Sequence, residues 1–144
     1  MSIHQFLKNL GSPRKYFTPQ DFLADVIRYF EWVDENPLQE ELVFHTRGLI
    51  TRSQADKMRP YTKQGLATFL GIPVSRLDSY KNRQEEGWAE AVEMIEQIIY
   101  EQKFSGAAAG LLNASIISRD LGLAEKTEVT GKTTVIIDGD EADL

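Results

Sequence analysis

The sequence predicts a mainly α fold: a helical body with a helix-turn-helix-like pair and a small β-hairpin, then a long helical hairpin and short C-terminal strands. Three observations predict it. Apolar residues recur at helical spacing in several segments that open on capping residues. The segment Glu41 to Arg52 alternates instead, around His45-Thr46-Arg47-Gly48. Thr127 to Ile137 is rich in threonine and β-branched residues around Gly131-Lys132.

Residues 1–17 mix polar and apolar side chains around Gly11-Ser12-Pro13-Arg14-Lys15 and read as a flexible N-terminal arm. Thr18-Pro19 opens the first core helix: Thr18 caps, Pro19 suits the first helical position, and Asp21 favours the positive helix end. Phe22, Val26, Tyr29, Phe30 and Val33 form one apolar stripe, and Asn36-Pro37 ends the helix. A hairpin near 41–52 turns close to Gly48. Thr62 caps the next helix, which runs to about Leu70; Gly71-Ile72-Pro73 interrupts, and Val74 to Asn82 forms another. These elements make up a body spanning 18–83.

From Glu85 a longer helix carries the stripe Trp88, Val92, Ile95 and Ile99, with Ala91, Ile98 and Gln102 beside it. A bend at Lys103 to Ser105 is expected next. Ser105 then caps a further helix through Arg119, with Gly122 at its left-handed C-terminal position. The helical hairpin thus covers 84–125, two short strands fall within 126–138, and 139–144 form an acidic tail.

At 144 residues, 42% hydrophobic and 26% charged, the chain has the composition of one soluble domain with short appendages. No apolar run approaches the roughly 18 residues of a membrane span, and Met1 to Leu10 lack the apolar core of a secretory signal. Cysteine is absent, which excludes disulfides and thiolate metal sites and fits a cytosolic protein.

The net charge of −6 conceals an uneven distribution. Thr46 to Arg83 carries Arg47, Arg52, Lys57, Arg59, Lys63, Arg76, Lys81 and Arg83 against Asp56 and Asp78. Gln84 to Glu101 carries six glutamates and no cation. An acidic total therefore does not argue against nucleic acid, because the positive charge is concentrated. A merely solvated basic face is the alternative.

Thr62 to Arg83 has the grammar of a helix-turn-helix. Its first helix turns Leu66, Phe69 and Leu70 inward. Its second buries Val74, Leu77 and Tyr80 and presents Arg76, Ser79, Lys81 and Arg83 outward. Such a helix suits the major groove, with arginine and lysine donating to phosphates and base edges and serine assisting. Lys57, Arg59 and Lys63 adjoin it, so the candidate DNA-binding set is Lys57, Arg59, Lys63, Arg76, Ser79, Lys81 and Arg83. Helix pairs of this form also serve as packing units.

No catalytic residue, metal site or cofactor is expected. His4 and His45 have no ligand partner at helical spacing and read as surface imidazoles. Gly131-Lys132-Thr133 lacks the earlier glycine and the following helix of a phosphate loop. Glu86, Glu90, Glu93, Glu96 and Glu101 have no supporting histidine or aspartate triad for a metal nuclease. Gly106, Ala107, Ala108, Ala109 and Gly110, in contrast, offer almost no side-chain volume, so another backbone can approach closely. Packing inside the subunit accounts for this. Packing between subunits is the favoured addition, because Trp88, Ile95, Ile98 and Tyr100 are too many large groups for one short hairpin to hide.

The chain resembles the small terminase subunits of headful-packaging tailed bacteriophages, in particular those of short-tailed enteric phages. The residues that carry the resemblance include Tyr29-Phe30-Glu31-Trp32-Val33, Glu35-Asn36-Pro37-Leu38, Lys57-Met58-Arg59 and Gly65-Leu66. Glu96 to Ala108, Leu111-Leu112-Asn113-Ala114, Ile116-Ile117 and Arg119 to Leu123 complete it. It implies a noncatalytic subunit that forms a ring, commonly of nine copies, in the host cytoplasm. Such a ring binds the packaging-initiation site on double-stranded phage DNA and serves a separate large subunit holding the ATPase and nuclease. It also implies that the C-terminal strands of all copies join in an intersubunit β-barrel. Relatives can end in a basic extension, whereas Asp138 to Leu144 is acidic and would repel DNA. The tail is then free to meet a basic patch on the large subunit. DNA contact is therefore expected at Lys57 to Arg83, with Arg14 and Lys15 as helpers. The competing reading is a helix-turn-helix transcription regulator acting as a dimer.

Overall fold

The computed structural model describes residues 2–8 and 15–123. The expected C-terminal strands and barrel, the acidic tail, and Gly11 to Arg14 of the arm lie outside the described residues. The element order is α1 (Ile3–Lys8), α2 (Pro19–Glu35), β1 (Leu38–Thr46), β2 (Leu49–Lys57), α3 (Lys63–Leu70), α4 (Val74–Tyr80), α5 (Trp88–Ala108) and α6 (Ala114–Asp120). Among the described residues no helix is long and apolar enough to cross a membrane.

Local sequence sets the starts of α2 and α3 as expected, whereas the long helix expected from Glu85 starts at Trp88, after Gly87. Thr18 accepts a hydrogen bond from the Asp21 amide, Pro19 occupies the first turn, and Asn36 closes α2. The stripe of α2 buries Phe22, Val26, Tyr29 and Val33. These meet Leu66, Leu70, Ile72, Leu77, Tyr80, Trp88, Val92, Ile95 and Ile99 in one core. Its centre is aromatic: Phe22 packs edge-on against Tyr80 at 5.1 Å and tilted against Trp88 at 5.5 Å.

The end of the expected arm is part of that core. Tyr16 is buried, packs on Phe22 and Tyr80, and donates its phenolic hydrogen to Asp25 at 2.7 Å. Lys15 donates to the Leu70 carbonyl. The first residues add a helical turn and a half, α1, that the mixed pattern did not announce.

The hairpin is longer than the alternation predicted. β1 and β2 pair antiparallel from Leu38↔Lys57 to Thr46↔Leu49. The two linking residues, Arg47 and Gly48, both have positive φ, 52° and 80°. This is the two-residue turn that matches strand twist, and an arginine at its first position, in place of asparagine, aspartate or glycine, is uncommon.

The bend expected at Lys103 to Ser105 is corrected. α5 continues to Ala108, because an alanine-rich run favours helix over a break. Ser105 sits inside that helix, its hydroxyl on Glu101 Oε1 at 2.6 Å. The stop is Gly110, with φ +74°, and the cap of α6 is Asn113, which accepts from the Ile116 amide at 3.0 Å.

Trp88 and Ile95 are buried within the chain, so they need no second subunit to cover them; Ile98 and Tyr100 remain exposed. At Gly106 the close neighbours are side chains of the same chain rather than another backbone, and Gly110 faces open space. A Cβ at Gly106 would sit 2.7 Å from Leu112 Cδ1 and 2.9 Å from Met58 Sδ. Lys103, the one buried charged residue among those described, donates to Asp120 and ties α6 down.

Candidate nucleic-acid interface

The helix pair α3–α4 is built by a small polar cluster and an apolar wedge. Thr62 Oγ1 accepts from the Gly65 amide at 2.9 Å, capping α3. The Tyr29 hydroxyl from α2 accepts from the Thr62 amide at 3.1 Å and faces the Thr62 carbonyl at 3.3 Å. The cap is therefore fixed to the core rather than left in solvent. Gly71, left-handed, closes α3, and Ile72 drives fully into the interior. Leu77 and Tyr80 bury the inner side of α4, leaving Ser75, Asp78 and Ser79 exposed and Arg76 half-buried.

The candidate residues fall into three environments. Lys63 and Lys81 converge on one carboxylate of the acidic helix α5: Glu96 lies 3.9 Å from Lys63 Nζ and 3.2 Å from Lys81 Nζ. Lys63 also pairs with Asp78 of α4 at 2.6 Å. Arg76 has no side-chain ion pair among the described residues; it lies on the other flank of α4 from Asp78 and Lys81, and the Ser79 hydroxyl donates to its carbonyl at 2.6 Å. Lys63 and Lys81 thus form one patch with Asp78 and Glu96.

Lys57 and Arg59 form a second environment at the root of the hairpin. Lys57 pairs across the strands with Glu40 at 2.9 Å. Arg59 donates to the Asn36 carbonyl at 2.7 Å and lies over the Trp32 ring, 5.0 Å from its centre. It borders a surface cavity of about 560 Å³ also lined by Tyr29, Trp32, Leu38 and Phe69.

Arg83 is the third case. Its guanidinium lies 4.2 Å from the centres of both the Tyr80 and Trp88 rings and donates to the Tyr16 carbonyl at 2.9 Å. It covers the aromatic centre of the core. Charge counting along the sequence had no means of separating it from Lys81.

Two residues that matter to this surface carried no distinctive signal. Gln102 of α5 accepts from the Tyr61 amide at 2.9 Å and donates to the Arg59 carbonyl at 3.1 Å, clamping the segment between hairpin and α3. Tyr61, buried, gives its hydroxyl to Asp34 at 2.8 Å. Burial first, and then that carboxylate, raise the Tyr61 phenol well above its ordinary range; Tyr16 is raised likewise by burial and by Asp25.

The ion pairs of the patch are all part-exposed, so each is worth about 0–1 kcal/mol and exchanges readily for another anion. Lys63 and Lys81 together, and Arg76 separately, can donate to phosphate oxygens without disturbing the core. Among the described residues no group of three histidine, aspartate or glutamate side chains converges as a metal site would require.

Fold and surface together define a small, mainly helical protein whose cations gather on a helix-turn-helix-like pair. Comparison with known proteins narrows that class. Residues 11–129 match the family described as DNA-packaging protein gp3, and the chain belongs to that family. It is also 42% identical over 123 residues to the small terminase subunit of Salmonella phage P22, a match covering 85% of this chain and 75% of that protein.

Proposed function

We propose that this chain is a noncatalytic small terminase subunit that recognises the packaging-initiation site on double-stranded phage DNA. It assembles into a closed homo-oligomeric ring, nine copies being the number its resemblance implies, and recruits and regulates the large ATPase-nuclease subunit in the host cytoplasm. The observation that carries this reading is the family match, which runs through both the basic pair α3–α4 and the helices α5 and α6. The name of the phage P22 relative supports the terminase assignment. Both comparisons name packaging proteins, and neither names a transcription regulator.

In this reading residues 18–83 supply DNA contact and 84–125 supply assembly. Lys63, Arg76, Ser79 and Lys81 meet the phosphates and groove edge, with Lys57 and Arg59 at the flank. Arg83 contributes charge while it holds the core. A ring repeats the patch around its rim, so modest single-copy contacts add through linkage on one DNA.

The test is binding of the chain to a DNA fragment from the phage packaging region and to a control fragment, over a range of salt. Arg76→Glu with Lys81→Glu, leaving Arg83 in place, is expected to abolish binding while native mass shows the assembly unchanged. Binding that survives this double reversal overturns the assignment of the surface. A wild-type assembly of two chains only would overturn the ring.

A further inference from the structure

The hairpin and the outer side of α5 are two surfaces that this chain leaves uncovered, and their chemistries match. In β1 and β2 only Leu42 and Ala55 are even half-buried, so the ribbon projects from the body. At about 3.4 Å per residue it reaches roughly 30 Å. The register puts Leu42, Phe44, Leu49 and Thr51 on one face and Val43, His45, Ile50 and Arg52 on the other. Its outer half is therefore apolar on both sides, with Phe44 51% and Leu49 72% exposed. A two-stranded ribbon of this kind is marginal alone in water and needs a cover.

On α5, helical spacing gathers Met94, Ile98, Tyr100 and Phe104 with Glu90, Glu93 and Glu101 on the side turned away from the core. The four large residues there are 40–48% exposed, and Tyr100 stacks on Phe104 at 6.2 Å. Glu90 and Glu93 have no cation partner among the described residues. The ribbon tip is apolar and carries Arg47, with Arg52 in an exposed pair with Glu41 at 3.3 Å that a stronger anion can displace; this helix face is apolar and acidic. Arg47 has no ion-pair partner among the described residues and occupies a left-handed turn position that asparagine or glycine would fill with less strain. The glutamates of α5 repel phosphate, and the apolar residues of the ribbon tip give phosphate oxygens little to bind.

We propose that the β1–β2 ribbon of one copy lies along the outer face of α5 of the next copy, Arg47 and Arg52 meeting Glu90 and Glu93. The two patches differ, so the contact is heterologous and propagates until a ring closes. The inference rests on the self-assembly proposed above and identifies its contact.

Native mass spectrometry of the full chain tests it, with two variants. The ribbon variant is Phe44→Glu with Ile50→Glu; the helix variant is Met94→Glu with Ile98→Glu. All four positions lie outside the core, and circular dichroism checks that each variant folds. Each variant alone is expected to run as a single chain, with the dissociation constant raised roughly thirtyfold or more. Mixed, they are expected to form a two-chain species, because one brings an intact ribbon and the other an intact helix face. A helix variant that dimerises by itself indicates ribbon-to-ribbon pairing and overturns the proposal. Variants that assemble like the wild type overturn this contact alone, and a single-chain wild type overturns the self-assembly reading as well. Should a glutamate variant fail to fold, Arg47→Glu with Arg52→Glu, rescued by Glu90→Arg with Glu93→Arg in the same chain, decides the matter. Absence of rescue counts against it.

Discussion

Two tyrosines couple the stability of this protein to alkaline pH. Tyr16 and Tyr61 are buried and donate to Asp25 and Asp34, which favours their neutral forms in the folded state. An unfolded tyrosine ionises near pH 10, so the folded protein retains protons that the unfolded chain gives up. Their contribution is complete below about pH 10 and declines as the pH rises beyond it. Denaturant midpoints measured from pH 8 to 11 are expected to fall steeply at the alkaline end. The fall should be shallower in the pair Tyr16→Phe and Tyr61→Phe; equal slopes would contradict the assignment. Arg83 offers a second residue-scale test. Removing its guanidinium from two rings by Arg83→Ala should cost about 1–2 kcal/mol in chemical denaturation, with Arg83→Lys recovering only part. The helical periodicity disclosed Tyr80 and Trp88 as core residues. It did not disclose that a cation covers them, because that contact joins residues from the arm, α4 and α5.

At the scale of elements, boundaries set by caps and breakers a few residues apart were legible, and the break between α5 and α6 was not. Thr18-Pro19 and Thr62 cap by bonding to residues only three positions along, so the short-range sequence contains the whole interaction. The end of α5 depends on competition between an alanine run that extends the helix and a later glycine that stops it. Gly106 and Gly110 look alike in sequence, yet one lies under Leu112 and Met58 and the other faces open space. Gly106→Val is therefore expected to force Leu112 out, lowering stability by about 1–3 kcal/mol and raising hydrogen exchange across 109–120. Gly110→Ala, strained only by its positive φ, should cost about 1 kcal/mol and leave the α5–α6 contact protected. Similar losses with similar exchange patterns would mean that the tight contact at Gly106 has no special role. The hairpin shows the same division: its turn was readable near Gly48, but its full length was not, since the root ends of its strands are exposed apart from Ala55 and carry no apolar alternation.

For the whole molecule, the decisive arrangement is the acidic helix laid against the basic pair. Glu96 holds Lys63 and Lys81, so part of the positive charge counted along Thr46 to Arg83 is already neutralised at home. Under the proposed function, DNA has to compete with Glu96 for both lysines. Glu96→Gln is then expected to strengthen DNA binding a few-fold at physiological salt and to steepen its salt dependence, each added phosphate contact raising the slope by about one. Binding and slope unchanged from the wild type would show that these lysines do not face DNA.

The sequence by itself determined the helical class, the core stripes, the capped helix starts and the concentration of cations on a helix pair. Each of these is written in spacing or composition within a few residues, where periodicity and capping act. Only the tertiary structure decided which cations are open to a partner, since Arg83 is spent on the core while Arg76 is not. It also decided that Trp88 is sealed inside one chain while the ribbon and the outer face of α5 are left bare. Pairing and burial depend on which distant segments meet, and the packing of α2, α4 and α5 around one aromatic centre is what brings them together.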